Sequence, residues 1–458
     1  MAGEREENGK GFNAFLALAI VIVAGFAFSY LQPQPTVKTY PSREKVIFWH
    51  MWTAEWKGVI DKIALRFNES QDKYEVIALS IPSSVADSKF LLAVAGGNPP
   101  DVMGQWSPVI PKWAESKLLQ PLDGFMTPVE WQYFQKYAYP AAKRIGMYKG
   151  KLYGIPSGMN AFACYYMPKQ FVDAGLDPNK FPDTLEKLTE IGHKLNRFDD
   201  KGNLTRIGFL PSQWPGVGMY APGYGGGYYD WKNDKLTINT PINLKVLTYL
   251  VDERKRLGFD NVLRFESGLN SGSSGSVDWP FISGAYSITL DGQWRVEQLR
   301  KFAPDLKYKT APLPPPAGGP KNYGWTNGNF LIIPKGAKHS KGAWEFIKFW
   351  SGIAKPERAA EFYTWGGWIP LFPAEANSPI FKEYVKKNPE FQTFLNVAAS
   401  EHIYPIPPVP YQVFLSDRIG RYEDLAIRSR LTPQEALEQL DKDIRQELDR
   451  RKRYHYND

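Results

Sequence analysis

The 458-residue chain has a single cysteine, Cys164, so no intramolecular disulfide can form and thiols say nothing about compartment. Cys164 lies in an apolar run and reads as a small buried hydrophobe. It sits far from the N-terminus, so an N-terminal lipid-bearing cysteine is not expected. Histidine is scarce. His50, His193, His339, His402 and His455 make no HExxH and no close pair, so neither a metal nor a cofactor is expected. GxSxG and GxxxxGK are missing. Gly216, Gly218 and Ala221 have the spacing of a dinucleotide fingerprint, but Pro215 precedes them and neither a strand nor a helix frames them. Dense basic runs are lacking despite a net charge of +8. The exception, residues 445–453, reads as the solvated face of a C-terminal helix, so no nucleic-acid partner is expected. Paired carboxylates for glycoside hydrolysis are not excluded, because such pairs meet only in space.

What is present is an ordinary soluble composition, 43% hydrophobic and 23% charged, over a length typical of two packed units. Residues 1–11 are a charged tail. Residues 12–31 carry no charge and are long enough to span a bilayer, so they read as an uncleaved anchor or as a signal peptide cut near Ala27 to Ser29. Residues 32–44, with Pro33, Pro35 and Pro41, read as a stiff tether.

Beyond the tether, strand and helix patterns alternate. Residues 46–49 and 74–79 read as strands. Between them Trp56, Val59, Ile60, Ile63 and Phe67 share a helical face. Ser84 and Asp87 have capping-box spacing ahead of a helix closed by Gly96 and Gly97. Lys149-Gly150 has hairpin-turn chemistry, and Pro156 is expected to stop the short strand after it. Thr240-Pro241 opens one helix, and Thr432, Pro433 and Glu435 specify the last. Residues 211–230 are rich in glycine and aromatics with no helical period, and residues 267–277 read as a surface loop.

Several segments carry a family likeness: "VIFWHMW", "AVAGGNPPDVMGQW", "GKLYGIP" with "YYMPKQFVDAGLD", "FISGAYSITLDGQW", "FLIIPKGAKHSKGAWEFIKFW" and "GGWIP", in that order. The chain resembles the family 1 extracellular solute-binding proteins of bacterial ABC importers. The resemblance implies an α/β fold of the type II periplasmic-binding kind, with two lobes and a ligand cleft between them. It places lobe 1 at residues 45–155 with 284–335, and lobe 2 at 156–283 with 336–458. Crossings between lobes are expected near 156–162, 281–289 and 330–338. It further implies a monomeric, non-enzymatic subunit in the periplasm or on the outer face of the cell membrane. Its partners would be a small-molecule ligand, most simply a sugar, the permease subunits, and the membrane through the N-terminal segment. Two rivals remain: a glycan-acting enzyme, and a ligand sensor partnering a membrane kinase.

The fifteen tryptophans are the strongest chemical signal. Sugar C–H faces pack on aromatic rings while sugar hydroxyls need amides and carboxylates. The candidate ligand residues are therefore Trp52, Glu55, Asp101, Gln105, Trp106, Asn160, Tyr224, Trp279, Trp294, Trp325, Asn327, Trp365 and Trp368. For each turn tryptophan the competing role is a lid on the core.

Overall fold

The computed structural model describes residues 40–106, 109–211, 216–269, 279–353 and 355–454. The expected anchor at 12–31, the tether up to residue 39 and most of the expected loop at 267–277 lie outside them. Among the described residues no helix is long and apolar enough to cross a membrane. Glu44–Asp458 forms one compact unit.

In chain order the first elements of Glu44–Asp458 are β1 (Glu44–His50), α1 (Ala54–Ser70), β2 (Tyr74–Ser80), α2 (Ser83–Ala95) and β3 (Val102–Trp106). Next come α3 (Pro140–Gly146), β4 (Ile155–Met159), β5 (Phe162–Tyr166), α4 (Val217–Tyr220) and α5 (Pro241–Leu257). They are followed by β6 (Ile288–Gly292), α6 (Trp294–Phe302), β7 (Lys309–Ala311), β8 (Gly324–Trp325) and β9 (Gly328–Ile332). The last group is α7 (Ser340–Ser351), α8 (Pro356–Gly366), β10 (Ile403–Tyr404), α9 (Gln412–Ile427) and α10 (Pro433–Arg453).

Period-2 alternation in β1 buries Val46, Phe48 and His50. Ile60, Ile63 and Phe67 of α1 are buried in the same cluster, and β1 pairs in parallel with β2 and β3. The resulting five-stranded sheet has the order β2-β1-β3-β9-β4, with β9 antiparallel to both neighbours. Pro156 does not end a strand; it lies inside β4. The sheet tolerates it because β4 is an edge strand, where a missing N–H breaks no second ladder. The Lys149-Gly150 turn does join a tight hairpin, with φ positive at both residues as that turn requires.

A second, three-stranded antiparallel sheet has the order β6-β5-β7. Alternation along β5 serves two cores. Ala163 and Tyr165 join the larger apolar cluster, which extends to the first sheet, while Phe162, Cys164 and Tyr166 join the cluster under α5, α9 and α10. Cys164 is fully buried as expected, and burial pushes its thiol pKa up.

The expected lobe boundaries need correction. Within 284–335, β6 and β7 flank β5 in the second sheet, and only β9 enters the first. The reason is topological: once the chain leaves β4, β5 needs a partner on each edge. Within 336–458, α7 packs on β1, β4 and α1 and so belongs with the first sheet. Trp350 of α7 is fully buried there and donates its indole N–H to the Ser157 carbonyl at 3.0 Å. The Ser84–Asp87 capping box is not formed, because α2 starts a turn earlier at Ser83. Thr240 caps α5, and Thr432 with Glu435 forms the full capping box of α10.

These contacts set two stability expectations, both read by urea unfolding. Trp350→Ala removes a stacked, hydrogen-bonded core ring and is predicted to cost about 3–5 kcal/mol. Thr432→Ala removes only a cap and is predicted to cost about 1 kcal/mol. Equal losses for the two would contradict this picture of the core.

Candidate functional site

Where the chain passes between the sheets, side-chain amides tie the passages together. The first passage runs from β4 to β5. There Asn160 donates through Nδ2 to Asn327 Oδ1 at 2.6 Å and through its backbone N–H to the Asn327 carbonyl at 3.0 Å. Gln293 Nε2 donates to Asn160 Oδ1 at 3.0 Å, and Gln293 Oε1 accepts from the Ala161 N–H at 3.0 Å. Thr326 Oγ1 donates to the Asn160 carbonyl at 2.6 Å. Asn160 and Asn327, expected to face ligand, are thus committed to the junction. The last passage falls between β8 and β9, earlier than the expected 330–338, and the middle one adjoins Gln293 instead of 281–289.

The remaining candidates scatter. Asp101 is buried, and its two oxygens accept from the backbone N–H groups of Ile47 (2.9 Å) and His339 (2.7 Å), fastening β1 to the start of α7. Gln105 is buried and bonds Asp87. Trp52 and Trp368 belong to a core stack with Trp350, with ring centroids 5.9–6.1 Å apart. Trp279 packs edge-on against Tyr165. Trp365 is covered by Lys62, whose Nζ lies 3.5 Å from the ring centroid. Trp294 stands edge-on to Phe162 at 5.6 Å. Tyr224 lies beneath Lys245. The side chains of Glu55 and Trp106 fall outside the described residues. Most of these rings pack against other core aromatics or beneath a lysine, as a lid on the core does.

Trp325 is different. It lines a cavity of about 110 Å³ with Tyr228, Tyr229, Trp231, Tyr404, Ile406 and Glu423. Pro222, Gly226, Gly227, Tyr229, Trp231 and Tyr404 are shared with a wider groove of about 930 Å³, so the cavity is the groove's inner pocket. Trp231 stacks on Tyr404 with centroids 5.8 Å apart and planes at 24°. Tyr229 stands perpendicular to Trp231 at 5.0 Å and bonds Asp234 through its hydroxyl. A cation reaches this stack from the helix that packs on β4. Arg144 of α3 donates to the carbonyls of Glu401 (2.9 Å) and Ile403 (3.0 Å) and lies over the Tyr404 ring. Asp230, Lys232, Thr237, Thr240 and His402 complete the rim.

Glu423 of α9 closes the inner pocket. It is buried, and its Oε1 accepts from the Tyr228 hydroxyl at 2.6 Å and the Val217 N–H at 3.2 Å. Burial pushes its pKa up to about 7, against the downward pull of those two hydrogen bonds. A side chain at Gly216 (φ 62°) would collide with Glu423 Oε2, so glycine is required there.

This aromatic groove, beside a junction that three chain passages share, is the geometry of a binding protein. A family model described as bacterial extracellular solute-binding protein matches residues 62–393. The chain belongs to that family. Among solute-binding relatives it is 24% identical over 374 residues to the maltotriose-binding protein of Pyrococcus abyssi, covering 80% of this chain and 74% of that one. It is 23% identical over 420 residues to the sn-glycerol-3-phosphate-binding periplasmic protein UgpB of Escherichia coli K12, covering 85% and 89%. The solved structure of CpMnBP1 with mannotriose bound superposes with a TM-score of 0.73 at 26% identity, covering 87% of this chain and 99% of that one.

Sequence reasoning missed Trp231, Tyr229, Tyr404, Arg144 and Glu423. The "GYGGGYYDW" string was the available signal: its glycines line the groove and its aromatics wall it. Nothing local marks Tyr404 or Glu423, which arrive from the C-terminal part of the chain.

His50, beside the expected Trp52 site, is instead packed between Phe48 and Trp52, and neither ring nitrogen has a partner among the described residues. Burial lowers its pKa to about 4. The folded protein thus resists a proton that the unfolded chain accepts near pH 6.5, so stability present above that pH is lost as pH falls toward 4. The expected loss between pH 7 and 4.5 is about 2–3 kcal/mol. Urea unfolding of wild type and His50→Gln checks this, and equal acid slopes for the two would refute it.

Proposed function

We propose that this protein captures an oligosaccharide outside the cytoplasmic membrane and delivers it to the permease of an ABC importer. The stacked Trp231–Tyr404 pair at the groove mouth carries this reading. Flat rings offer a platform for sugar C–H faces, and Arg144, Asp230, Lys232, Thr237 and Thr240 offer hydrogen bonds to hydroxyls around them. The groove volume of about 930 Å³ suits several sugar units better than a single small polyol phosphate. Relatives that bind maltotriose, and a similar fold with mannotriose bound, support the same ligand class.

Capture works by closure. A sugar held by groups from both sheets favours the closed conformation, with the Asn160 junction as pivot. No bond of the ligand is broken. The reading includes a monomer held at the membrane through residues 12–31.

Tryptophan fluorescence and calorimetry with glucose, maltose, maltotriose, mannobiose and mannotriose test it. An oligosaccharide is expected to bind and to be recovered unchanged. Trp231→Ala is expected to weaken it about tenfold or more, since one aromatic stacking contact contributes about 1–2 kcal/mol. Absence of binding by every sugar, or unaltered affinity in Trp231→Ala, would overturn this assignment.

A further inference from the structure

We infer that Glu423 is the specificity-determining group of the inner pocket, its free carboxylate oxygen accepting a hydroxyl of the neutral sugar unit that enters between Tyr229, Trp325 and Tyr404. The inference rests on the carbohydrate reading and names the group that reads the ligand.

The geometry is that of a built site. Glu423 is only 7% exposed, yet it lines the cavity. Its Oε1 is occupied by Tyr228 and Val217, while Oε2 has no hydrogen-bond partner among the described residues. That carboxylate oxygen is open to a donor, and a hydroxyl of an entering ligand supplies one. Glu423 is the one charged acceptor among the cavity's lining residues; the rest are rings, prolines, glycines, isoleucines and the neutral hydroxyls of Ser416 and the tyrosines. An anionic terminal group would meet the carboxylate at close range in an apolar surround, so the pocket selects neutral units.

The same arrangement makes capture pH-dependent. A carboxylate accepts a hydroxyl more strongly than a protonated carboxyl does. With Glu423 half-ionised in the free protein near pH 7, the competent fraction at pH 6 is about one-tenth of that at pH 8, and apparent affinity scales with that fraction. The other ionisable groups nearby are otherwise engaged or outside the pocket. On α9 itself, Arg421 and Asp424 are exposed. From α10, Asp443 accepts from Tyr422, and Glu447 pairs with Arg450 and Arg451. From α5, Glu253 pairs with His193 and Arg254 with Glu266. Tyr228 and Tyr220 are held un-ionised by burial. On the rim, Tyr229 engages Asp234, and Asp230 engages Asn233. Lys232 and the exposed His402 belong to the outer groove.

Affinities of maltotriose and mannotriose, measured at pH 6, 7 and 8, test the assignment. Wild type is expected to bind the preferred sugar about tenfold tighter at pH 8 than at pH 6. Glu423→Gln is expected to bind about tenfold more weakly at pH 8, with a flat profile. Tyr228→Phe, which removes a hydrogen bond that holds the pKa down, is expected to move the midpoint to higher pH even if Glu423→Gln fails to fold. If a sugar binds with a pH-independent affinity, or if the pH profile persists in Glu423→Gln, the role of Glu423 is overturned while the carbohydrate reading stands. If neither sugar binds, both fall together.

Discussion

Asn160 holds the architecture together. Its backbone and side chain bond Asn327, Gln293 and Thr326, so chain passages separated by over a hundred residues meet at one point. The bonds are short, and two of the partner residues, Gln293 and Thr326, are fully buried, where an unpaired amide or hydroxyl is costly. The strands on either side of this point are committed to their own ladders. The groove lies beside the junction, and Arg144, Tyr404 and Trp231 line it together.

The aromatic residues divide into two populations that the same chemistry produces. Trp52, Trp350 and Trp368 form a dry stack between the first sheet and its covering helices. Trp231 and Tyr404 form a similar stack, but both are only half-buried, with an open groove over them. Ring pairs in the two places look alike in geometry. What separates them is whether a helix or solvent lies on the outer face.

That difference explains what could be read from the chain alone. Local signals were reliable: the Lys149-Gly150 hairpin, the Thr432 capping box, the buried Cys164 and the α1 stripe all appear as periodicity and turn chemistry require. The family and its α/β class were legible from the order of several segments, and the matched model over residues 62–393 agrees. The lobe boundaries were not, since β6 and β7 choose β5 as partner through contacts more than a hundred residues away. Nor was the groove. Asp101 looks like a ligand carboxylate in sequence, and only the two backbone N–H groups facing it reveal a fastening role. Glu423 looks like an ordinary polar residue of an amphipathic helix until Tyr228 and Val217 are seen to bury it.

The central claim is that ligand sits in the groove lined by the Trp231–Tyr404 stack. Hydrogen–deuterium exchange with and without a saturating oligosaccharide tests it most directly. The account predicts added protection at residues 222–232 and 401–407, with the core stack around Trp52 and Trp368 unchanged. Protection centred on residues 50–56 and 366–370, with none at 222–232, would contradict it.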